Sequence, residues 1–287
     1  MVKEFLKFCQ YGRNLSPITM TNYERILQLF TNFLLGKGKT LQSVVENDVT
    51  DFVAECLKNG SKASSVNVYV CTLRAFYKWA VMFHYDTFKV NPAAGVPKLK
   101  VRKDLPVCIS EKKMQKILDN LGETSWKEQR VKLAILMGYH TGLRRNEMVI
   151  LKCDDLDLEE KTIRVLGKGG KVRVVPMSGQ LCQLVEKYFA TRKLLGLTSP
   201  WLFVKSTNKP LGYFDFAHIV KAALRQFVPE DMAHCHILRH SFATTCLNSG
   251  VSIENIAAIM GHSSIETTMR YLTISSARIK SQLEGVF

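Results

Sequence analysis

Residues 91–106, NPAAGVPKLKVRKDLP, carry three prolines and a glycine and show no helical period. Proline has no N–H to donate and restricts the residue before it, so neither a helix nor a central strand runs through such a stretch. The 287-residue chain is thereby divided in two, and each part is long enough to bury a core of its own. The expected organisation is a helical domain over residues 1–95, a basic linker over 96–107, and a second domain over 108–287 that ends in the tail SSARIKSQLEGVF.

Before the break the apolar residues recur at helical spacing. In SPITMTNYERILQLFTNFLLGKG, Ser16 suits an N-cap and Pro17 the first turn; Tyr23, Ile26, Leu27, Phe30, Phe33 and Leu34 form one face, and Gly36 ends it. Asp48 is expected to cap a second helix with Val49, Phe52, Val53, Cys56 and Leu57 inward. A third, from Ser64 or Ser65, runs through Val66, Val70, Leu73, Phe76, Tyr77 and Ala80. No strand is required here.

After the break, Ser110 opens a helix through Met114, Ile117, Leu118 and Leu121, and a longer one over roughly 126–140 ends in HTGLRRNE. TIRVL and VRVVP alternate apolar and polar residues around LGKGGK, the pattern of a hairpin. Helices are expected again near 178–195, 213–226, 235–249 and 252–260. The fold class is mainly α with a small antiparallel sheet, the second domain being mixed α+β.

Charge narrows the partner. The formal net charge is +15; residues 1–107 hold 15 basic and 8 acidic side chains, net +7, and the remainder 25 and 17, net +8. Two basic halves in a folded, non-repetitive chain suit a polyanion gripped from two sides, nucleic acid above all. No apolar run approaches the ~18 residues of a membrane span, and MVKEFLKFCQYG does not have the pattern of a signal peptide, so a cytoplasmic, membrane-free protein is expected. The eight cysteines are scattered singly with no CxxC pair, which suits reduced, buried thiols rather than zinc ligands or disulfides.

Six polar residues at turns and helix starts of the second domain make a coherent set: Arg144, Lys168, His236, Arg239, His262 and Tyr271. Singly, each has an ordinary explanation as a cap, a solvated charge or a packed ring. Together they suit a phosphodiester. Two guanidiniums can hold the non-bridging oxygens and stabilise a pentacoordinate transition state. A tyrosine with a pKa of about 10 needs roughly 4 kcal/mol to ionise at pH 7, so it requires a base, for which His236 is the candidate, or nearby positive charge. The leaving 5′-oxygen needs a proton, which Lys168 can deliver, and His262 adds a hydrogen bond to the phosphate. Glu147 can hold Arg144 from behind. GKGGK is not a phosphate-binding P-loop, because valine and a strand follow it. His234, Cys235, His236 and His240 suggest a metal site only weakly, since no second ligand cluster stands at zinc spacing.

At these motifs the chain resembles the tyrosine recombinases, the phage-integrase and Xer-type family of site-specific DNA recombinases. TGLRRNE resembles the family's first arginine box, LGKGGKVRVVP its lysine hairpin, HILRHSFAT its His-x-x-Arg box and MGHSSIETTMRYL its closing His and Tyr motif. NLSPITMTNYERILQLF and SSVNVYVCTLRAFYKWA resemble its helical core-binding domain. The resemblance implies that Tyr271 is the nucleophile forming a 3′-phosphotyrosine, with Arg144 and Arg239 as phosphate clamp, Lys168 as general acid, His236 as base or donor and His262 as a further donor. It also implies strand cutting and rejoining without metal, ATP or other cofactor, with double-stranded DNA and further protomers in a tetrameric synapse as partners. Two alternatives remain at this point: a type IB topoisomerase-like enzyme relaxing one duplex, and a catalytically silent DNA-binding regulator on the same scaffold.

Overall fold

The computed structural model describes residues 1–101, 107–167, 170–262 and 266–269. The chain forms two compact units, Met1–Lys103 and Asp104–Phe287.

In the first unit α1 (Val2–Lys7) runs into one π-helical turn, Phe8–Gly12, and is followed by α2 (Pro17–Gly36), α3 (Glu46–Lys58) and α4 (Ala63–Phe83). The Ser16 hydroxyl accepts from the Thr19 N–H at 3.3 Å, so α2 starts as its sequence implies, and Ile26, Leu27, Phe30 and Leu34 are buried. Asp48 does not cap α3 from outside. It lies in the first turn, where its carboxylate accepts from the Val45 N–H at 2.9 Å and pairs with Lys39 at 2.6 Å. An acidic group there stabilises the positive helix end as a cap would. The N-terminal helix escapes the periodicity argument because it is short. It nevertheless buries Phe5, as the turn after it buries Cys9, and the Phe5 ring meets Phe76 edge-on with centroids 5.4 Å apart.

Residues 91–99, the first half of the proline-bearing stretch, are fastened to α4. Arg74 donates to the main-chain oxygens of Ala93 and Val96. Asn67 exchanges two hydrogen bonds with Leu99, at 2.8 and 2.9 Å. Side chains thus replace the ladder that prolines forbid.

The second unit comprises α5 (Glu111–Asn120), α6 (Trp126–Thr141), the short α7 (Arg145–Val149), three strands, α8 (Gly179–Leu194), α9 (Tyr213–Leu224), α10 (Cys235–Asn248), α11 (Ile253–Met260) and one turn of helix, α12 (Glu266–Met269). The strands β1 (Leu156–Asp157), β2 (Thr162–Leu166) and β3 (Val172–Pro176) form an antiparallel sheet in the order β1-β2-β3, with Ile163 opposite Val175 and Val165 opposite Arg173. The two-residue β1 is too short to leave a pattern in the sequence. Ser110 stands at the N-cap of α5 but makes no side-chain capping bond. α6 packs against both α8 and α10. Its residues Leu133, Ala134, Ile135, Leu136 and Met137 are all buried, as a helix apolar on every side must be.

All eight cysteines are free, but burial is not general, since Cys71 is exposed. No helix among the described residues is long and apolar enough to cross a membrane.

Candidate active site

α6 ends at Gly142, whose φ of 62° places it in the left-handed region. That reversal puts Arg144 at the N-cap of α7, with Glu147 in the first turn behind it. Glu147 accepts from the Arg144 N–H at 2.7 Å through Oε2 and from the Arg144 guanidinium at 3.0 Å through Oε1. Glu147 therefore does hold the arginine, as its i,i+3 spacing suggests. The adjacent Arg145 is committed elsewhere, stacked 3.5 Å from the Tyr213 ring centroid on α9.

The second arginine comes from α10. His234 caps this helix, its Nδ1 accepting from the Ile237 N–H at 3.1 Å, so one of the four residues that weakly suggested a metal site has a structural task. His236 and Arg239 follow at i,i+3, which places them on one helix face. Arg239 is buried and donates to the main-chain oxygens of Gly142 and Met260.

These groups meet at the end of α11. Gly261, with φ 63°, closes the helix, and the His262 N–H returns to the Ala257 oxygen at 3.0 Å, the wide bond of a Schellman motif. Arg144 donates to the Gly261 oxygen at 2.7 Å. The last carbonyls of a helix carry partial negative charge and lack helical partners, so guanidiniums are natural companions for them. The His262 ring lies 2.7 Å, through Nδ1, from the hydroxyl of Thr268 on α12.

Electrostatics keeps both histidines neutral near pH 7. Burial, then the charges of Arg239 and Arg144, push His262 down to about 4. Packing around the ring, then the charges of Arg239, His234, Arg145 and Arg144, lower His236. A neutral imidazole can accept a proton or donate one hydrogen bond, and an arriving phosphate would raise its basicity. For Glu147, burial pushes the carboxyl up, but the hydrogen bonds from Arg173 and the Arg144 N–H, with both positive charges, outweigh it and hold the group ionised.

Arg144, Arg239 and His262 are thus brought to one turn, with His236 one helical turn from Arg239. Lys168 and Tyr271 lie outside the described residues. Among the described residues no group of three His, Cys, Asp or Glu side chains could hold a metal ion. Sequence reasoning missed Arg173. It shares a strand face with the buried Val175, and a half-buried arginine on a core-facing position is the one signal that could have pointed to it.

Residues 108–278 match the phage integrase family, and residues 2–82 match the phage integrase N-terminal SAM-like domain; the chain belongs to this family. Tyrosine recombinase XerC of Escherichia coli O127:H6 is 32% identical, over 98% of this chain and 93% of the relative. XerC of Staphylococcus epidermidis is 29% identical, over 96% and 93%. The fold is that of the XerH recombinase bound to its palindromic difH substrate after cleavage (TM-score 0.77, 20% identity, 99% of this chain and 84% of that one). It is equally that of the Tn1549 transposon integrase with a circular-intermediate DNA (TM-score 0.75, 21% identity, 98% of each chain). The protein is accordingly a site-specific tyrosine recombinase. Neither the topoisomerase nor the silent-regulator alternative is favoured by these relatives.

Proposed function

We propose that the turn after α11 is where a scissile phosphate of double-stranded DNA is bound, and that the six residues singled out in the sequence act there. Arg144 and Arg239 hold the non-bridging oxygens, and His262 adds a hydrogen bond. Tyr271 attacks phosphorus as His236 accepts or relays its proton, forming a 3′-phosphotyrosine. Lys168 protonates the departing 5′-oxygen. Rejoining reverses the steps, with a 5′-hydroxyl as nucleophile and Tyr271 as leaving group. One phosphate ester replaces another, so no nucleotide is needed to restore the bond.

The observation that carries this reading is the convergence of Arg144, Arg239 and His262, from three separate segments, on the main chain of residues 260–262. A clamp fixed before substrate arrives needs little reorganisation during reaction, which is what makes such groups effective. The net charges of +7 and +8 on the two halves support contacts with DNA from residues 1–95 and 108–287 alike, joined by the basic linker 96–107. The reading extends to a cytoplasmic protein acting in a tetrameric synapse of two duplexes.

The test is covalent capture on a nicked duplex containing the recombination site. The native chain should give an SDS-resistant protein–DNA adduct, and Tyr271→Phe should bind the same DNA but give none. A normal adduct yield from Tyr271→Phe overturns the assignment.

A further inference from the structure

Arg173 on β3 engages all three nitrogens of its guanidinium inside the protein. Its two terminal nitrogens form a fork to Glu147, at 2.9 Å to Oε1 and 2.8 Å to Oε2, and its Nε donates to the Ile259 oxygen at 2.7 Å. Each Glu147 oxygen thereby accepts twice, once from Arg173 and once from Arg144. The main-chain oxygens of residues 259, 260 and 261 are taken in succession by Arg173, Arg239 and Arg144. A Cβ on Gly261 would stand 3.0 Å from the Arg173 Cζ, so the guanidinium lies directly against the turn.

We propose that Arg173 is a positioning residue of the phosphate clamp. Through Glu147 it fixes Arg144, and through the Ile259 oxygen it fixes the turn that carries His262. This rests on the clamp role given above to Arg144. The physical case is one of competition for a carboxylate. With Arg173 in place, Glu147 has one acceptor site per oxygen for Arg144, and the Arg144 guanidinium reaches on to Gly261. Without it, Glu147 is free to take Arg144 as a two-pronged pair, the preferred carboxylate–guanidinium geometry, and to draw it off the Gly261 oxygen. β3 also pairs with β2 as a hairpin, and beyond the paired residues the Gly167 N–H donates to the Lys171 oxygen at 2.7 Å. One side chain therefore ties the base of that hairpin to both the clamp and the His262 turn.

The experiment is single-turnover cleavage of a nicked duplex by the full chain, with Arg173→Met and Arg173→Lys. Lysine keeps the charge but cannot bond Glu147 twice and Ile259 at once. Arg173→Met leaves Glu147 charged and buried, so if it does not fold, Arg173→Lys carries the test. Each variant should bind DNA within a few-fold of the native chain yet cleave slower by on the order of 100-fold, the cost of a misplaced catalytic group. On a duplex whose scissile phosphate is a methylphosphonate, which lacks the non-bridging charge that the clamp neutralises, the loss should shrink to a few-fold. A purely structural role would slow both substrates alike. Adding Arg173→Lys to Arg144→Ala should cost clearly less than the product of the two single losses, the remainder acting through the His262 turn. A slow Arg144→Ala beside a native rate for Arg173→Lys, or losses that multiply in the double variant, overturns this proposal alone. A native rate for Arg144→Ala overturns the clamp and this proposal with it.

Discussion

Replacing Gly142 with alanine should destabilise the second unit in two separable ways. Its φ of 62° costs an L-residue about 1–2 kcal/mol. The added Cβ would also stand 2.4 Å from Cδ1 of the buried Phe242, and overpacking of that kind costs a further ~1–3 kcal/mol. Gly250 supplies the control, with a φ of 86° and no heavy atom within 4 Å of a built Cβ, so that Gly250→Ala should show the backbone cost alone. The difference between the two variants, about 2 kcal/mol, measures the steric part. With a urea m-value of about 2 kcal/mol/M it moves the midpoint by roughly 1 M beyond that of Gly250→Ala. Phe242→Ala, which opens a cavity and costs ~3–5 kcal/mol by itself, should cost less in the Gly142→Ala background. Cleavage should fall as well, because the Gly142 oxygen accepts from Arg239. Equal midpoints for Gly142→Ala and Gly250→Ala, or strict additivity with Phe242→Ala, would refute the steric argument.

Two further outcomes are expected. His262 has a folded-state pKa of about 4, against about 6.5 unfolded. Between those values the unfolded chain holds a proton that the folded chain lacks, so stability is complete above about pH 6.5 and declines as pH falls toward 4. Urea midpoints at pH 7.5 and 5 should therefore differ less for His262→Asn than for the native chain, while the lowered His236 and the carboxylates contribute alike to both. If Lys168 is the general acid, Lys168→Ala should cleave poorly on an ordinary duplex and recover on a 5′-bridging phosphorothiolate, whose thiolate departs without a proton; no recovery means that another group supplies the proton.

The parts of this molecule legible in its sequence are those governed by local rules. α2 announces itself through Ser16, Pro17 and an apolar stripe, and α10 and α11 through their apolar spacing and, for α11, Gly261. The first-domain α1 was not legible because six residues hold too few periods, although Phe5 is central to its core. Residues 91–99 read as loop because their hydrogen bonds come from Arg74 and Asn67, up to 32 positions away, which no local pattern encodes. In the site, the i,i+3 pairs Arg144–Glu147 and His236–Arg239 were readable from spacing. Arg173 was not, because its partners Glu147 and Ile259 are 26 and 86 positions distant and strand alternation offers only a face.

On α11 and its closing glycine the three arginines address main-chain oxygens, not side chains, and this shapes how the protein can vary. Ile259 and Met260 can be exchanged for apolar residues of similar size without deleting a single acceptor, because their side chains serve the core and their main chain serves the clamp. What must persist is the path of the chain: a glycine at 261, and an N–H at 262 to close the turn on Ala257. An alanine at 261 would meet both the left-handed backbone and the Arg173 guanidinium, 3.0 Å from its Cβ, so a mutation that disarms this site need not replace any of the side chains that hold the phosphate.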